Sequence, residues 1–188
     1  MAESIITKRA IADSLKEITL YKSFDKITIK DITDKCGINR QTFYYHFVDK
    51  YDLLQWIYQV DFFDTYLADM DFDNWYEKMV EGLESLKAEK KFYINTANHA
   101  ESFILKFVLE KTQEIFEKAV DKLDENRVVE KGQREFIARF FSFGVCGVII
   151  EWASGGMQEE PVFLVDNMRK MLILSERAAN EHIFDDLH

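Results

Sequence analysis

Proline occurs once in 188 residues and glycine seven times. So few chain breakers leave little material for turns and long loops, and argue for a chain built of helices. Only two cysteines are present, Cys36 and Cys146. They stand far apart, each inside an apolar helical pattern, which excludes a disulfide framework or a zinc site and points to a reduced, cytoplasmic setting. His99 has no His or Cys four residues on, and His182, Asp185, Asp186 and His188 read as a solvated chain end, so neither a metal nor a cofactor is expected. The longest apolar stretch, residues 140–150, falls short of the ~20 residues that a bilayer-spanning helix needs. The first residues are charged and helical in pattern, with no apolar run before a cleavage site, so no secretory leader and no membrane attachment is expected. Catalytic signatures are missing too: there is no G-x-S-x-G, no P-loop, no G-x-G-x-x-G and no H-E-x-x-H. The chain does not read as an enzyme.

Positive charge is also in short supply. The net charge is −10, which by itself argues against a nucleic-acid partner. The acidity, however, is unevenly placed. Residues 1–58 carry nine Lys/Arg against eight Asp/Glu, whereas residues 59–188 carry 15 against 26. The N-terminal part is thus neutral, and contacts between it and phosphates should show only a modest salt dependence. What the chain does have is apolar bulk: a 47% apolar fraction with 16 Phe, 8 Tyr and 3 Trp suffices for a packed core.

Residues 28–50 organise the rest. Ile29, Ile32 and Cys36 repeat with helical spacing behind Thr28, an N-cap residue. Gly37 ends that helix, because glycine reaches the left-handed C′ conformation without steric cost. Ile38 follows as a hydrophobic plug and Asn39 caps a second helix, Arg40 to Phe47. Two short helices joined by a Gly-containing turn make a helix-turn-helix. In the second helix Phe43 and Phe47 share the inward face, while Arg40, Gln41, Thr42, Tyr44, Tyr45 and His46 face outward. Duplex DNA suits such a set: Arg can be bidentate to guanine, Gln to adenine, and a Thr methyl can meet thymine. Tyr, His and Lys side chains reach phosphate oxygens and fix register. Asp49 then caps a further helix with Asp52 at its N3 position, so Lys50 is expected in its first turn beside the DNA backbone. The plain alternative is an exposed aromatic patch with no ligand, but exposed rings in a row beside a glycine turn usually signal binding.

ThrPheTyrTyrHisPhe at residues 42–47, two spacer residues and Lys50, preceded by ThrIleLysAspIle at 28–32 and CysGlyIleAsn at 36–39, resemble the TetR family of transcriptional regulators. The likeness covers about residues 7–60. It implies an all-α, TetR-like fold, with an N-terminal three-helix helix-turn-helix DNA-binding domain and a C-terminal helical regulatory and dimerisation domain. It also implies a homodimer on double-stranded DNA carrying an inverted-repeat operator. By the resemblance, Thr28 and Lys30 lie near phosphates, Asn39, Arg40, Gln41, Thr42 and Tyr45 reach bases and backbone, and Tyr44, His46 and Lys50 reach the backbone. Gln41 stands where many members have Gly, so the operator cannot be carried over from relatives. The whole chain, with its Phe-rich acidic C-terminal part, is similar to the members that activate dihydroxyacetone kinase operons. That likeness implies activation, with the signal received by a co-regulator protein related to the kinase subunit. Two other readings remain: a ligand-responsive repressor with its own C-terminal pocket, and a protein-interaction module that does not bind DNA.

The division implied is 1–50 for the DNA-binding domain and 51–188 for the C-terminal domain, with a connecting helix over about 50–68. Residues 5–21 predict a bracing helix on Ile11, Leu15 and Ile18. From Asp71 onward every segment has helical periodicity. Trp75, Phe92, Tyr93, Phe103, Phe107 and Phe140, with Tyr76, either line an effector pocket or make an ordinary core. Residues 136–153 are apolar nearly all round and need partners on all sides. Together with the helix starting at Pro161 they suggest a dimer interface through Phe141, Val145, Val148, Trp152, Leu164, Met168 and Met171, a monomer core being the plain alternative.

Overall fold

Phe24, Phe43, Ile11, Leu15, Ile18 and Ile32 are completely or almost completely sequestered and draw the first three helices together. A computed structural model describes residues 2–124 and 128–180. Helix α1 (Ala2–Thr19) lays Ile11, Leu15 and Ile18 across α2 (Ile29–Cys36) and α3 (Arg40–His46), and a single 3₁₀ turn, Phe24–Lys26, links α1 to α2. Helix α4 (Lys50–Tyr58) leads out of this unit, followed by α5 (Trp75–Ala88), α6 (Lys90–His99), α7 (Glu101–Leu123), α8 (Lys131–Ser154) and α9 (Pro161–Asn180). Among the described residues there is no strand, so the all-α expectation holds.

The connecting helix departs from the regular one its sequence suggests. After Tyr58 it widens into a π-helix, Gln59–Leu67, marked by the bond that the Thr65 hydroxyl donates to the Val60 carbonyl five residues back. The cause lies in the apolar spacing. Ile57, Phe62 and Leu67 recur every five residues, as do Tyr58 and Phe63, and all five are buried. An i→i+5 turn keeps them on one face, whereas 3.6 residues per turn would rotate Phe62 and Phe63 away from it. Helix α5 accepts the widened turn through Gly82, where a Cβ would sit 2.7 Å from the Phe62 ring.

Helices α7 and α8 form the most extensive pair in the molecule. Ala138, Ser142 and Cys146, four apart, give α8 a narrow small-residue face that lets α7 approach, and the Phe116 and Phe141 rings stack across it 5.8 Å apart. The uninterrupted apolar run of α8 is confined to residues 140–150, as expected, although the helix as a whole is by length and composition apolar enough to cross a membrane, a property it shares with core helices of soluble proteins. Its apolar character has another use: one side packs on α7 and α6, and the other is open. The first half of α9 rests on α5 through Leu164 and Val165, and the Tyr76 hydroxyl donates to Asp166 at 2.9 Å.

Candidate nucleic-acid interface

Each cap that the sequence offers around the turn is made. Thr28 is a complete capping box: its hydroxyl accepts from the Asp31 N–H, and the Asp31 carboxylate accepts from the Thr28 N–H at 2.7 Å. Gly37 ends α2 with φ 72°, the left-handed value that favours glycine. Asn39 Oδ1 accepts from the Thr42 N–H at 2.7 Å and from the Thr42 hydroxyl at 3.0 Å. Asp49 Oδ1 accepts from the Tyr51 and Asp52 N–H groups, while Asp52 takes the Val48 N–H at 2.9 Å. With Phe43 fully buried and Phe47 almost so, α3 has no freedom to roll.

That anchoring fixes what α3 presents. Arg40, Gln41, Tyr44 and Tyr45 are exposed, Tyr45 to 81% of its surface, and Thr42 and His46 are half-buried. Tyr44 stands edge-on to Phe43 at 5.7 Å and Tyr45 edge-on to His46 at 4.9 Å, so the buried ring braces one exposed ring and His46 the other. Thr42 spends its hydroxyl proton on Asn39. Val48, which the sequence pattern did not single out, is 78% exposed just beyond the helix. Thr28 and Lys30 are exposed at the start of α2.

The electrostatics are restrained. Lys30 pairs with Asp34 one turn on, Lys35 with Glu17 of α1, and Lys22 with Asp31 at 2.7 Å. Three lysines of this unit are therefore partly neutralised before any phosphate arrives. The Lys22 ammonium and the Thr28 donors hold the Asp31 carboxyl down at about 2.

Lys50, expected beside the DNA backbone, is engaged within the chain in this structure. Its ammonium donates to the carbonyls of Phe24, Asp25 and Ile27 at 2.8, 2.9 and 2.9 Å, which uses all three of its N–H groups. It also lies 4.8 Å from the centre of the Phe24 ring, and partial burial lowers its pKa. In this conformation Lys50 clamps the 3₁₀ turn and has nothing left for a phosphate.

The aromatic residues of the C-terminal region divide in the same way. A partly open cavity of about 60 Å³ lies between α4, α6, α7 and α8, lined by Tyr58, Phe62, Phe63, Tyr93, Ile104 and Cys146 among others. Of the residues expected to line a pocket only Tyr93 does. Phe107 packs edge-on against the lining ring of Phe63 at 5.7 Å, Phe92 lies under Lys16 of α1, and Phe103 packs on Tyr51. Trp75 sits edge-on to Tyr76, away from the cavity. Phe140 contradicts the pocket reading outright: it is 65% exposed on the outer side of α8, stacked on Phe136. Burial keeps the phenols of Tyr58 and Tyr93 un-ionised, and the Tyr58 hydroxyl shares a 2.9 Å hydrogen bond with Thr96.

The expected dimer residues also separate into two groups. Trp152 and Leu164 are buried in the chain's own core, the indole N–H of Trp152 donating to the Glu159 carbonyl at 3.0 Å, so they belong to the monomer. Phe141, Val145 and Met168 are half-buried, and Val148 and Met171 are exposed. No group of three or more His, Cys, Asp or Glu gathers as a metal site among the described residues; His182, Asp185, Asp186 and His188 lie outside them.

Comparison with known proteins settles what kind of molecule carries this surface. Residues 19–57 match the model of bacterial regulatory proteins of the tetR family, and residues 73–174, more than half the chain, match that of the transcriptional regulator C-terminal region. The chain belongs to the TetR family. It is a helix-turn-helix transcriptional regulator, not an enzyme, of a family whose members bind DNA and typically dimerise. The regulator is 26% identical over 174 residues to the HTH-type dhaKLM operon transcriptional activator DhaS of Lactococcus lactis subsp. lactis (strain IL1403), covering 87% of this chain and 88% of that one. Its fold is similar to a solved structure of the dihydroxyacetone kinase operon activator DhaS, with a TM-score of 0.69, 23% identity, and 91% of this chain and 96% of that one covered. It is also similar to NalD, the secondary repressor of the MexAB-OprM multidrug efflux pump in Pseudomonas aeruginosa, with a TM-score of 0.59, 16% identity and the same coverage.

Proposed function

We propose that this regulator acts as a homodimer on an inverted-repeat operator, reading it with two copies of α3 in successive major grooves, and that it activates a dihydroxyacetone kinase operon. Residues 1–50 form the reading domain and residues 51–188 the dimerisation and regulatory domain. The observation that carries the DNA reading is the exposed face of Arg40, Gln41, Tyr44 and Tyr45 on a helix that Asn39 and Phe43 hold rigid. Arg40 and Gln41, at the N-terminal end of α3, are the base readers; Thr28, Lys30, Tyr44 and His46 fix register on phosphates. Two-fold symmetry sets the half-sites one helical turn or slightly more apart, on the order of 34–36 Å. The open row of Phe136, Phe140 and Phe143, with Gly144 and Gly147 where an added Cβ would meet nothing, supports a helix of a second copy closing on α8.

The operon assignment rests on the likeness to DhaS along nearly the whole chain. The cavity supports a partner-borne signal: about 60 Å³ is far below the roughly 300–1,000 Å³ of sites that enclose drug-sized ligands, and its lining is nearly all hydrocarbon. A co-regulator protein related to the kinase subunit then senses the small molecule, and this chain, working in the cytoplasm, reads the DNA. Selection from random duplexes by the full-length protein, followed by footprinting upstream of its own gene, tests the reading. Recovery of one inverted repeat is the expected result; retention with no common sequence would overturn it. Tight direct binding of dihydroxyacetone to the isolated protein in a calorimeter would instead favour a ligand pocket in this chain.

A further inference from the structure

The chain between α1 and α2 is held by two side chains remote in sequence. Asn95, in the middle of α6, donates from its amide nitrogen to the carbonyls of Thr19 at 2.8 Å and Lys22 at 3.0 Å, and accepts from the Phe24 N–H at 2.9 Å. It thereby satisfies backbone groups that the end of α1 leaves open. Lys50 holds three further carbonyls of the same stretch, those of Phe24, Asp25 and Ile27. Phe24 is fully buried, its ring 5.3 Å from Tyr51, which in turn lies 5.1 Å from Phe103 of α7; His99, at the end of α6, is 3.6 Å from the Asp25 carboxylate. The turn runs directly into Thr28, whose capping box fixes the start of α2. A displacement of α6 is thus delivered, through one amide, to the residue from which the helix-turn-helix begins.

We infer that Asn95 is a positioning residue for DNA binding: by its three hydrogen bonds to the Thr19–Phe24 segment it sets the angle at which the reading unit is held against the C-terminal helices, and so the separation of the two α3 helices in the dimer. This rests on the dimeric reading above. The contact bypasses α4, since α6 grips the reading unit on its α1 side. One amide with a donor pair and an acceptor spread over three backbone groups specifies an orientation that apolar packing alone leaves looser.

The test uses full-length protein and the operator recovered by selection with the wild type, alongside versions with one base pair inserted or deleted between the half-sites and a duplex carrying a single half-site. Wild type should favour the natural spacing by at least about tenfold, since a misplaced half-site forfeits base contacts. Asn95→Ala should reduce that preference to about threefold or less while its affinity for the single half-site stays within about twofold of wild type. A merely structural loss lowers binding to all duplexes alike and leaves the spacing ratio unchanged; that result overturns the inference. Asn95→Gln retains the amide but shifts it by one methylene, and serves if the alanine variant does not fold; it should lose the spacing preference in the same way, and a wild-type ratio in Asn95→Gln would equally overturn the proposal. If the wild type itself shows no spacing preference, it is the dimeric reading that has failed.

Discussion

The two ends of this chain expose opposite kinds of surface, and each implies a different partner. Around α3 the core is closed: the caps are occupied, Phe43 is sealed, and what faces outward is a set of hydrogen-bonding groups and rings. Along α8 and the second half of α9 the outward groups are Phe140, Phe143, Val148, Met171, Leu172, Ile173 and Leu174, all exposed. A polar face on a rigid helix can wait in water for its ligand at little cost. An apolar row of that length cannot, because patches beyond a few hundred Å² mark interfaces. The first surface is finished and the second is half of something.

The sharpest way to break this contrast is to charge the unfinished face. Phe140→Glu with Phe143→Glu should leave each chain folded, because neither ring belongs to the monomer core, but should abolish pairing. Binding to the full inverted repeat should then fall about 10²–10⁴-fold as the second reading head loses its tether. Sedimentation would show chains of monomer mass; a dimer surviving both charges would mean that α8 is not the interface.

On the finished face the effects are smaller and selective. Gln41→Ala removes an exposed amide that holds nothing up, so melting should be unchanged while discrimination at one base pair drops by about 1–3 kcal/mol. Binding titrations against operators substituted one position at a time would detect it. Uniform weakening at all positions would assign Gln41 to the backbone.

Lys50→Ala asks whether the clamp belongs to the finished surface or only supports it. Three carbonyls lose the ammonium, though that of Phe24 keeps the Ile27 N–H, and because water can replace part of the loss, stability should fall by about 1–2 kcal/mol. The slope of log K against log salt should stay as in the wild type, since a residue that neutralises no phosphate releases no counterion. A slope reduced by about one would return Lys50 to the phosphate.

The reading unit was legible in the sequence because its instructions are local: Thr28, Gly37, Asn39 and Asp49 each act on backbone within four residues, and each does so in the structure. What was not legible depends on distant chain. Lys50 looked like a phosphate ligand until the turn 23–26 residues earlier closed over its ammonium. Asn95, an amide inside a short helix, carried no signal at all. The five-residue recurrence of Ile57, Phe62 and Leu67 was present, but counting by 3.6 conceals a π-helix. A helix apolar all round tells that it needs neighbours, not which of them are its own: Trp152 went to the monomer core and Phe140 to the surface. The contact between α8 and α7 decides that division, and the small residues Ala138, Ser142 and Cys146, four apart, were its only trace in the sequence.

The smallest effect tests the closure of the reading unit through acid. Asp31 accepts from the Thr28 N–H, the Thr28 hydroxyl and the Lys22 ammonium, each at 2.7 Å. These donors hold its carboxyl at about 2 against an ordinary 3.8. The folded state therefore binds the Asp31 proton less readily than the unfolded chain does. The stabilisation is complete above pH 4 and disappears as pH falls through the folded value near 2. Asp31 is a third exposed, so solvent screening reduces its contribution to about 1 kcal/mol, in the range of a lost cap. Asp31→Asn keeps the shape and loses the charge. In urea melts the variant should trail the wild type by that amount at pH 6, and the gap should begin to close below about pH 4. A gap that stays constant down to pH 3 would mean that the carboxylate charge contributes nothing, and that the start of α2 is held by packing and by the turn behind it rather than by its cap.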